Sequence, residues 1–199
     1  MDEKERELRE RLTKAGRELL EHGLLERDGN LSVRLPNSDQ MLITPAGVKA
    51  GQVTPEMLVV VDFEGKVIRG ELKPSSGVPM HKIIYNLRPD VQCVIHSHSP
   101  FATAFAVAGM PIPYALEIME TLGGAVPCAE YAPLGTELLA QNIGRVLGQA
   151  NAVLLKNHGV LVAGQTIELA VKNVLTLEKA AQIVFYAQAM GSVTTLPQH

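Results

Sequence analysis

The stretch GNLSVRLPNSDQMLITP, residues 29–45, decides the predicted fold class. Each half carries a short strand-like run, and the PNSD segment between them has the composition of a turn. A connection this short cannot be the crossover that parallel strands require, so the two strands must pair antiparallel. Residues 57–70, MLVVVDFEGKVIRG, predict a second hairpin that turns at Glu64–Gly65. We therefore predict a mixed, mainly antiparallel sheet rather than a doubly wound parallel one.

Helical patterns alternate with the remaining strands of the chain. Apolar residues recur at helical spacing in segments 3–25, 79–87, 100–109, 135–149 and 166–190. Further strands are predicted within 91–98, 125–131 and 152–164. We expect Ser75 or Ser76 to cap the second helix and the tail after Met190 to fray. Without a repeat or linker, residues 1–199 are predicted to form one α/β domain with helices covering the sheet.

The composition is that of an ordinary globular protein. The chain has 199 residues, of which 46% are hydrophobic and 20% charged, and its formal net charge is −3. These values favour neither a nucleic-acid partner nor an anionic membrane surface. Cys93 and Cys128 are too few for a disulfide framework, and the charged start MDEKERELRERL lacks the apolar core of a signal peptide. We therefore expect a cytoplasmic protein without a membrane span.

Two histidines flank one serine in CVIHSHSP, residues 93–100. On a strand, His96 and His98 would point to one face about 6.5–7 Å apart, near enough to hold a metal ion between them. An isolated pair of this kind is more often one core histidine and one strand-end histidine. His158 lies in an NHG hinge between two apolar runs, where site residues collect. Three histidines with an open position would suit a catalytic zinc ion, although spacing alone does not bring His158 to the pair.

Three loops carry glycines and small polar residues at strand or helix ends. They read DGNLS, TPAG and PSSG, and the residues of interest are Gly29, Asn30, Gly47, Ser75, Ser76 and Gly77. Their glycines would let the backbone approach a ligand, and their hydroxyl and amide groups offer donors to an anion at a helix N-terminus. Each loop by itself is more often a turn or a cap than a binding site. The chain has no GxGxxG and no Walker loop, which disfavours a nicotinamide enzyme.

Six motifs, in order along the chain, together resemble the class II aldolase/adducin family. They are GNLSVR (29–34), LITPAG (42–47), KPSSGVPMH (73–81), RPDVQCVIHSHSPFATAFA (88–106), GGAVPCAEYAPLGT (123–136) and NHGVLVAG (157–164). The resemblance implies a three-layer α/β/α sandwich around a mostly antiparallel sheet. It also implies a homotetramer with its sites at subunit interfaces.

The resemblance assigns roles to the residues already singled out. It implies a divalent metal, usually zinc with manganese or cobalt as alternatives, on His96, His98 and His158. It implies a substrate phosphate held by a second group: Gly29, Asn30, Gly47, Ser75 and Ser76. The combination of motifs is specific for the family and much less specific for a substrate.

Gly77 departs from the family pattern. The aldolases of the family carry PSSE and the epimerases PSSD at this place, and that acid transfers a proton beside the metal in the aldolases. Glycine cannot do so, and losing such a group typically costs 10²–10⁴-fold in rate. Glu117 is the best replacement by this comparison, although it equally fits a solvated helix face. Weaker candidates for proton transfer or for lining the pocket are Glu71, Glu120, Tyr114 and Tyr131; Ala46 stands where some relatives carry a hydroxyl.

The resemblance implies, first, an aldolase that splits a ketose 1-phosphate into dihydroxyacetone phosphate and an aldehyde through an enediolate stabilised by the metal. Dehydration of a sugar phosphate with Glu117 as base is an alternative, and epimerisation is another. Gly77 also leaves open a variant with impaired catalysis. A non-enzymatic, adducin-like binding module is less favoured, because all three histidines persist.

Overall fold

The computed structural model describes residues 2–25 and 29–197. Within them lie five α-helices: α1 Glu3–Glu21, α2 Val78–Leu87, α3 Pro100–Ala108, α4 Glu137–Leu147 and α5 Ile167–Met190. The strands are β1 Asn30–Arg34, β2 Gln40–Ile43, β3 Val59–Asp62, β4 Val67–Arg69, β5 Cys93–Ser97, β6 Cys128–Ala129, β7 Ala152–Leu155 and β8 Gly159–Gly164. Short 3₁₀ turns occupy Ala50–Gln52, Pro55–Met57 and Glu117–Leu122.

The strands form one sheet in the order β4-β3-β2-β1-β5-β8-β7-β6. Every neighbouring pair is antiparallel except β6 and β7, which run parallel. Both predicted hairpins are present as β1–β2 and β3–β4. The prediction of a mixed, mainly antiparallel sheet is therefore confirmed.

Helices cover both faces of this sheet. Ile95 points to the core shared with α1, α3 and α5, where Leu12, Phe105 and Leu177 pack. Its neighbour Val94 points to the opposite core, shared with α2 and α4. This alternation is the normal consequence of the strand pleat. The two cores separate three layers, so the predicted α/β/α sandwich is also confirmed.

Threonine caps begin two of the helices. Thr136 Oγ1 accepts a hydrogen bond from the Leu139 N–H at the start of α4 (3.3 Å), and Thr166 Oγ1 accepts from Leu169 N–H at the start of α5 (3.1 Å). Such caps satisfy backbone donors that have no partner inside the helix. The predicted cap of α2 by Ser75 or Ser76 is wrong. Gly77 is the N-cap there, and Ser75 Oγ instead accepts from the Gly77 N–H, 3.1 Å away.

Three predicted boundaries also differ from the structure. The first helix ends at Glu21, short of residue 25, and Gly23, a helix stop by its residue type, adopts a left-handed conformation (φ 69°) just beyond it. The strand predicted over 125–131 is reduced to Cys128–Ala129 at the sheet edge, where it pairs with β7 alone. The tail does not fray in its described part. Leu196 packs on the core and donates from its N–H to the Tyr114 carbonyl, 2.7 Å away.

None of the helices in the two described ranges has the length and apolar character needed to cross a membrane.

Candidate metal and phosphate site

Three histidines meet at one end of the central strands. His96 and His98 come from β5 and the residues after it, and His158 lies in the turn that leads into β8, the neighbour of β5. The ring centroids are 4.6 to 5.3 Å apart, and one nitrogen from each ring lies within 4.8 Å of the others. The structure thus brings together the three residues that sequence spacing alone could not join.

The hinge before β8 has a tight geometry. Asn157 adopts a left-handed conformation (φ 59°), and the His158 N–H donates to the Leu155 carbonyl at 2.9 Å. A Cβ atom on Gly159 would lie 2.5 Å from Cδ2 of His98 and 2.7 Å from the backbone oxygen of Ser97. Only glycine leaves room for β5 and its histidines at this distance.

A carboxylate supports the segment that follows His98. Glu178, on α5, accepts hydrogen bonds from the backbone N–H groups of Phe101 (2.9 Å) and Ala102 (3.0 Å) at the start of α3. A negative charge at a helix N-terminus is favourable because the first N–H groups have no partner within the helix. Sequence reasoning missed Glu178, since nothing in the helix pattern of α5 shows that it faces another helix end.

The electrostatics of the histidines suit metal coordination. His96 is buried and donates from Nδ1 to the Val160 carbonyl at 2.9 Å, so Nε2 carries the lone pair. That buried Nε2 has no hydrogen-bond partner. Burial, and then the neighbouring histidines, hold the pKa of His96 well below its usual value. Burial, reinforced by His98, likewise lowers the pKa of His158.

This donor set fits a divalent ion. Neutral imidazoles bind zinc and similar ions, and the hydrogen bond from Nδ1 fixes the ring orientation of His96 as second partners do in metal sites. An unpaired buried nitrogen is costly unless something coordinates it. In the described part of the chain, no carboxylate joins the three histidines in this group. Three ligands leave open positions, which is typical of catalytic rather than structural sites.

A cavity of about 320 Å³ lies between the start of β1 and the TPAG and PSSG loops. Its walls include all five residues predicted to hold a phosphate: Gly29, Asn30, Gly47, Ser75 and Ser76. The TPAG and PSSG loops meet through a bridge between Pro45 and Pro74 and a hydrogen bond from the Ser75 N–H to the Thr44 carbonyl. Asn30 stands directly opposite His96 across the β1–β5 pair. Residues opposite each other in an antiparallel pair share a face, so Asn30 of the cavity wall and His96 of the histidine group lie on the same face of the sheet.

Lys49 gives the cavity its charge. It is the one charged residue among those described that line the cavity, and it lies just before the 3₁₀ turn at Ala50. A cavity with a cation, hydroxyl groups and amide donors suits an anion. Sequence reasoning missed this residue, although its position two residues after Gly47 was an available signal.

His81, on α2, belongs to a buried group of hydrogen-bonded side chains. Its side chain is completely buried, and both ring nitrogens are hydrogen bonded, to Ser32 and to Asn30. Burial lowers the pKa of His81 to about 3, so the ring is neutral.

Comparison with known proteins places this architecture in a family. The sequence matches the family described as "Class II Aldolase and Adducin N-terminal domain" over residues 10–185. The chain belongs to the class II aldolase and adducin family. The resemblance that the six motifs suggested is therefore confirmed.

Within the class II aldolase and adducin family, the similar proteins include aldolases. The 5-deoxy-D-ribulose 1-phosphate aldolase of Bacillus thuringiensis serovar kurstaki is 32% identical over 191 residues, which cover 96% of this chain and 90% of that protein. The 5-methylthioribulose-1-phosphate/5-deoxyribulose-1-phosphate aldolase of Rhodospirillum rubrum is 38% identical over 193 residues, which cover 96% of this chain and 86% of that protein. A solved L-fuculose 1-phosphate aldolase superposes with a TM-score of 0.93 at 35% identity. The superposition covers 99% of this chain and 92% of the aldolase. These relatives confirm the prediction of a class II aldolase-type enzyme, a carbon–carbon lyase.

Gly77 stands at the position where the resemblance implies an acid, and it has no side chain. Gly77 lies between Ser76 of the cavity wall and the first residue of α2. Glu117 begins the 3₁₀ turn at Glu117–Leu122, is exposed, and is not part of the histidine group.

The weaker candidates lie in varied surroundings. Glu120 accepts a hydrogen bond from the Tyr114 hydroxyl at 3.5 Å, whereas Glu71 and Tyr131 are exposed. Ala46 lines the cavity beside Gly47. The fold therefore leaves Glu117 as a candidate without joining it to the histidines.

Proposed function

We propose that the protein is a divalent-metal-dependent aldolase that cleaves a ketose 1-phosphate into dihydroxyacetone phosphate and an aldehyde. The observation that carries this proposal is the register of β1 and β5. It pairs Asn30, which lies in the cavity wall, with His96, which belongs to the group of three histidines. The named relatives of known activity act on ketose 1-phosphates.

The cavity residues would bind the phosphate. Ser75 already accepts a hydrogen bond from the Gly77 N–H, so its own hydroxyl hydrogen is left to donate. Gly29 and Gly47 let a phosphate approach the backbone, and Lys49 supplies a positive charge. Binding the phosphate here would hold the reacting end of the ketose beside the histidines, and such positioning is a large part of catalysis.

His96, His98 and His158 would hold the ion. A divalent ion bound there would supply Lewis-acid stabilisation of the negative charge that develops on substrate oxygens. In this proposal the ion is zinc, with manganese or cobalt as alternatives, since imidazole accepts all three. The protein would act in the cytoplasm as a homotetramer with its sites at subunit interfaces.

Proton transfer is assigned to Glu117 or to water in the cleft. Gly77 has no side chain that could hold a proton. The carboxylate of Glu117 is exposed and so can exchange protons with solvent. General acid–base groups act through hydrogen bonds to the reacting atoms or through one water.

The test is an assay of the purified, zinc-loaded chain on a panel of ketose 1-phosphates, with dihydroxyacetone phosphate as the measured product. We expect cleavage that His96→Ala abolishes together with stoichiometric metal. The control His22→Ala changes an exposed residue after α1, and this variant should keep both the cleavage activity and the bound metal. If the chain neither cleaves any of these ketoses nor exchanges the α-proton of dihydroxyacetone phosphate, the proposal fails.

Dehydration of a sugar phosphate is the second candidate, because the aldolase acid is missing at Gly77. The same panel separates the two, since dehydration releases water and leaves the carbon chain whole. Glu117→Gln should slow whichever reaction occurs by about 10²-fold or more if Glu117 transfers the proton. An unchanged rate would remove Glu117 from both mechanisms.

A further inference from the structure

A buried chain of hydrogen bonds joins β1 to α2 behind the phosphate cavity. His81 donates from Nε2 to Oδ1 of Asn30 (2.6 Å), and its Nδ1 accepts from the Ser32 hydroxyl (2.7 Å). Ser32 Oγ in turn accepts from the Tyr85 hydroxyl, also at 2.7 Å. All four side chains are buried. Asn30 determines which group donates in each of these hydrogen bonds, because its amide oxygen can only accept.

The chain determines which end of the Asn30 carboxamide is available to a ligand. Its oxygen is held by His81, and Asn30 also lines the cavity. The amide nitrogen is therefore the end left to donate to a bound anion. The neutral state of His81, whose pKa burial lowers to about 3, agrees with a ring that donates at one nitrogen and accepts at the other.

This arrangement requires a glycine at residue 77 because there is no space for a side chain. The backbone conformation does not require it. Its φ of −73° and ψ of −5° are accessible to any residue. A Cβ atom on residue 77, however, would lie 2.7 Å from Oδ1 of Asn30 and 2.8 Å from Cε of Met80. Contacts this short force a neighbour to move, and the Met80 side chain is itself packed in the core.

Residues 77 and 81 are also tied to each other. The Gly77 carbonyl accepts from the His81 N–H at 3.2 Å, one turn along α2. A side chain on residue 77 would therefore enter the space directly beside the bond that His81 makes to Asn30. The helix cannot shift to relieve the contact without also moving His81.

We propose that Gly77 and the positioning residue His81 together orient the Asn30 carboxamide so that its N–H donates to an oxygen of the substrate's phosphate. Asn30 thereby occupies the space that a side chain on residue 77 would need. This inference rests on the proposed function for the identity of the substrate. It gives residue 77, where the resemblance implies an acid, the role of leaving space for the Asn30 carboxamide.

The test is a double-mutant cycle with Gly77→Ala and Asn30→Ala. The dissociation constants of inorganic phosphate and of dihydroxyacetone phosphate are measured calorimetrically on the metal-loaded protein. Each single change should weaken binding by about tenfold, the loss of one hydrogen bond to a charged group. The double variant should bind no worse than Asn30→Ala, because the added methyl group then has no carboxamide to displace. Additive losses, or an unchanged affinity in Gly77→Ala, would overturn the inference.

Gly16→Ala is the matched control for the glycine change. Its new Cβ would lie in ordinary contact, 3.9 Å from Leu31 Cδ1, so phosphate affinity should not change. Urea unfolding of every variant shows whether it has folded. A tenfold loss in the control as well would show that the effect comes from general strain and would overturn the inference.

His81 is tested through its donor group. His81→Gln keeps an N–H that can reach Asn30, whereas His81→Leu removes it. We expect the leucine variant to raise KM for the ketose phosphate about tenfold with a smaller change in kcat, and the glutamine variant to restore most of the affinity. Equal losses in both variants would show that the ring is only a packing element and would overturn its positioning role.

These measurements separate the inference from the proposed function. If phosphate binding shows the expected non-additivity but no ketose is cleaved, the proposed function fails and the inference stands. If cleavage occurs and the losses are additive, only the inference fails. If the unaltered protein binds neither inorganic phosphate nor dihydroxyacetone phosphate at millimolar concentration, the inference fails, and the cleavage assay alone decides the proposed function.

Discussion

Lys49 determines, at the scale of a single residue, which charge the cavity accepts. The other described residues that line the cavity are neutral, so one ammonium group sets its sign. Because Lys49 is exposed, its attraction for a phosphate is screened by water and salt. It should add to affinity without being indispensable.

The corresponding prediction concerns KM. Lys49→Met should raise KM for a ketose 1-phosphate by roughly fivefold, the size expected of an exposed ion pair, and leave kcat within about twofold. Lys49→Arg keeps the charge and should stay close to the unaltered protein. The control Lys66→Met removes an exposed charge from the β3–β4 turn. Steady-state kinetics at low and high salt decide the matter, and a salt-independent effect would contradict an electrostatic role.

The turn between β7 and β8 controls the metal ligands at the scale of secondary-structure elements. This turn places His158 against the end of β5. The short distance between the turn and β5 is possible only because Gly159 has no side chain. Since β5 and β8 are hydrogen-bonded neighbours, pushing one strand from the other also moves His96 and His98.

Gly159→Ala should therefore weaken metal binding by at least tenfold and lower the free energy of unfolding by about 1–3 kcal/mol, the usual cost of an overpacked site. Bound metal is measured by elemental analysis after dialysis, and stability by urea unfolding of the metal-free protein. Loss of stability with full metal occupancy would show that the ligands adjust independently of the turn.

Buried neutral histidines couple the stability of the whole molecule to pH. Burial lowers the pKa of His81 to about 3, while a histidine in the unfolded chain titrates near 6.5. Between these values the unfolded state binds more protons than the folded state. Stability is therefore full above pH 6.5 and falls as the pH decreases towards 3. His96 and His158, whose pKa values are also lowered, act in the same direction in the metal-free protein.

The prediction is that His81 makes the metal-free protein lose about 1.4 kcal/mol of stability per pH unit as the pH falls from 6 to 4. His81→Gln should remove one titrating group, so the free energy of unfolding should change less steeply with pH between pH 4 and 6. Urea unfolding at a series of pH values measures it, with His22→Gln as an exposed control. Identical slopes for the His81 variant and the unaltered protein would contradict the assignment.

Much of the architecture followed from local patterns in the sequence. The short PNSD connection required antiparallel pairing, and the periodicity of the helices indicated what covers the sheet. The site residues were recognised as a set because the motifs occur together and in family order. Boundaries were less accurate, as in the strand around Cys128, because strand length depends on which neighbour is available for pairing.

The sequence by itself determined the types of element, the mainly antiparallel sheet, and the groups of residues that suit a metal and a phosphate. Only the tertiary structure decided that His158 joins His96 and His98, that Lys49 faces the cavity, and that His81 holds Asn30 in the space above Gly77. The physical reason is that periodicity and turn chemistry are properties of neighbouring residues. Ligand geometry, cavity charge and steric exclusion depend on side chains that meet only after the strands have taken their register and α2 has packed on the sheet.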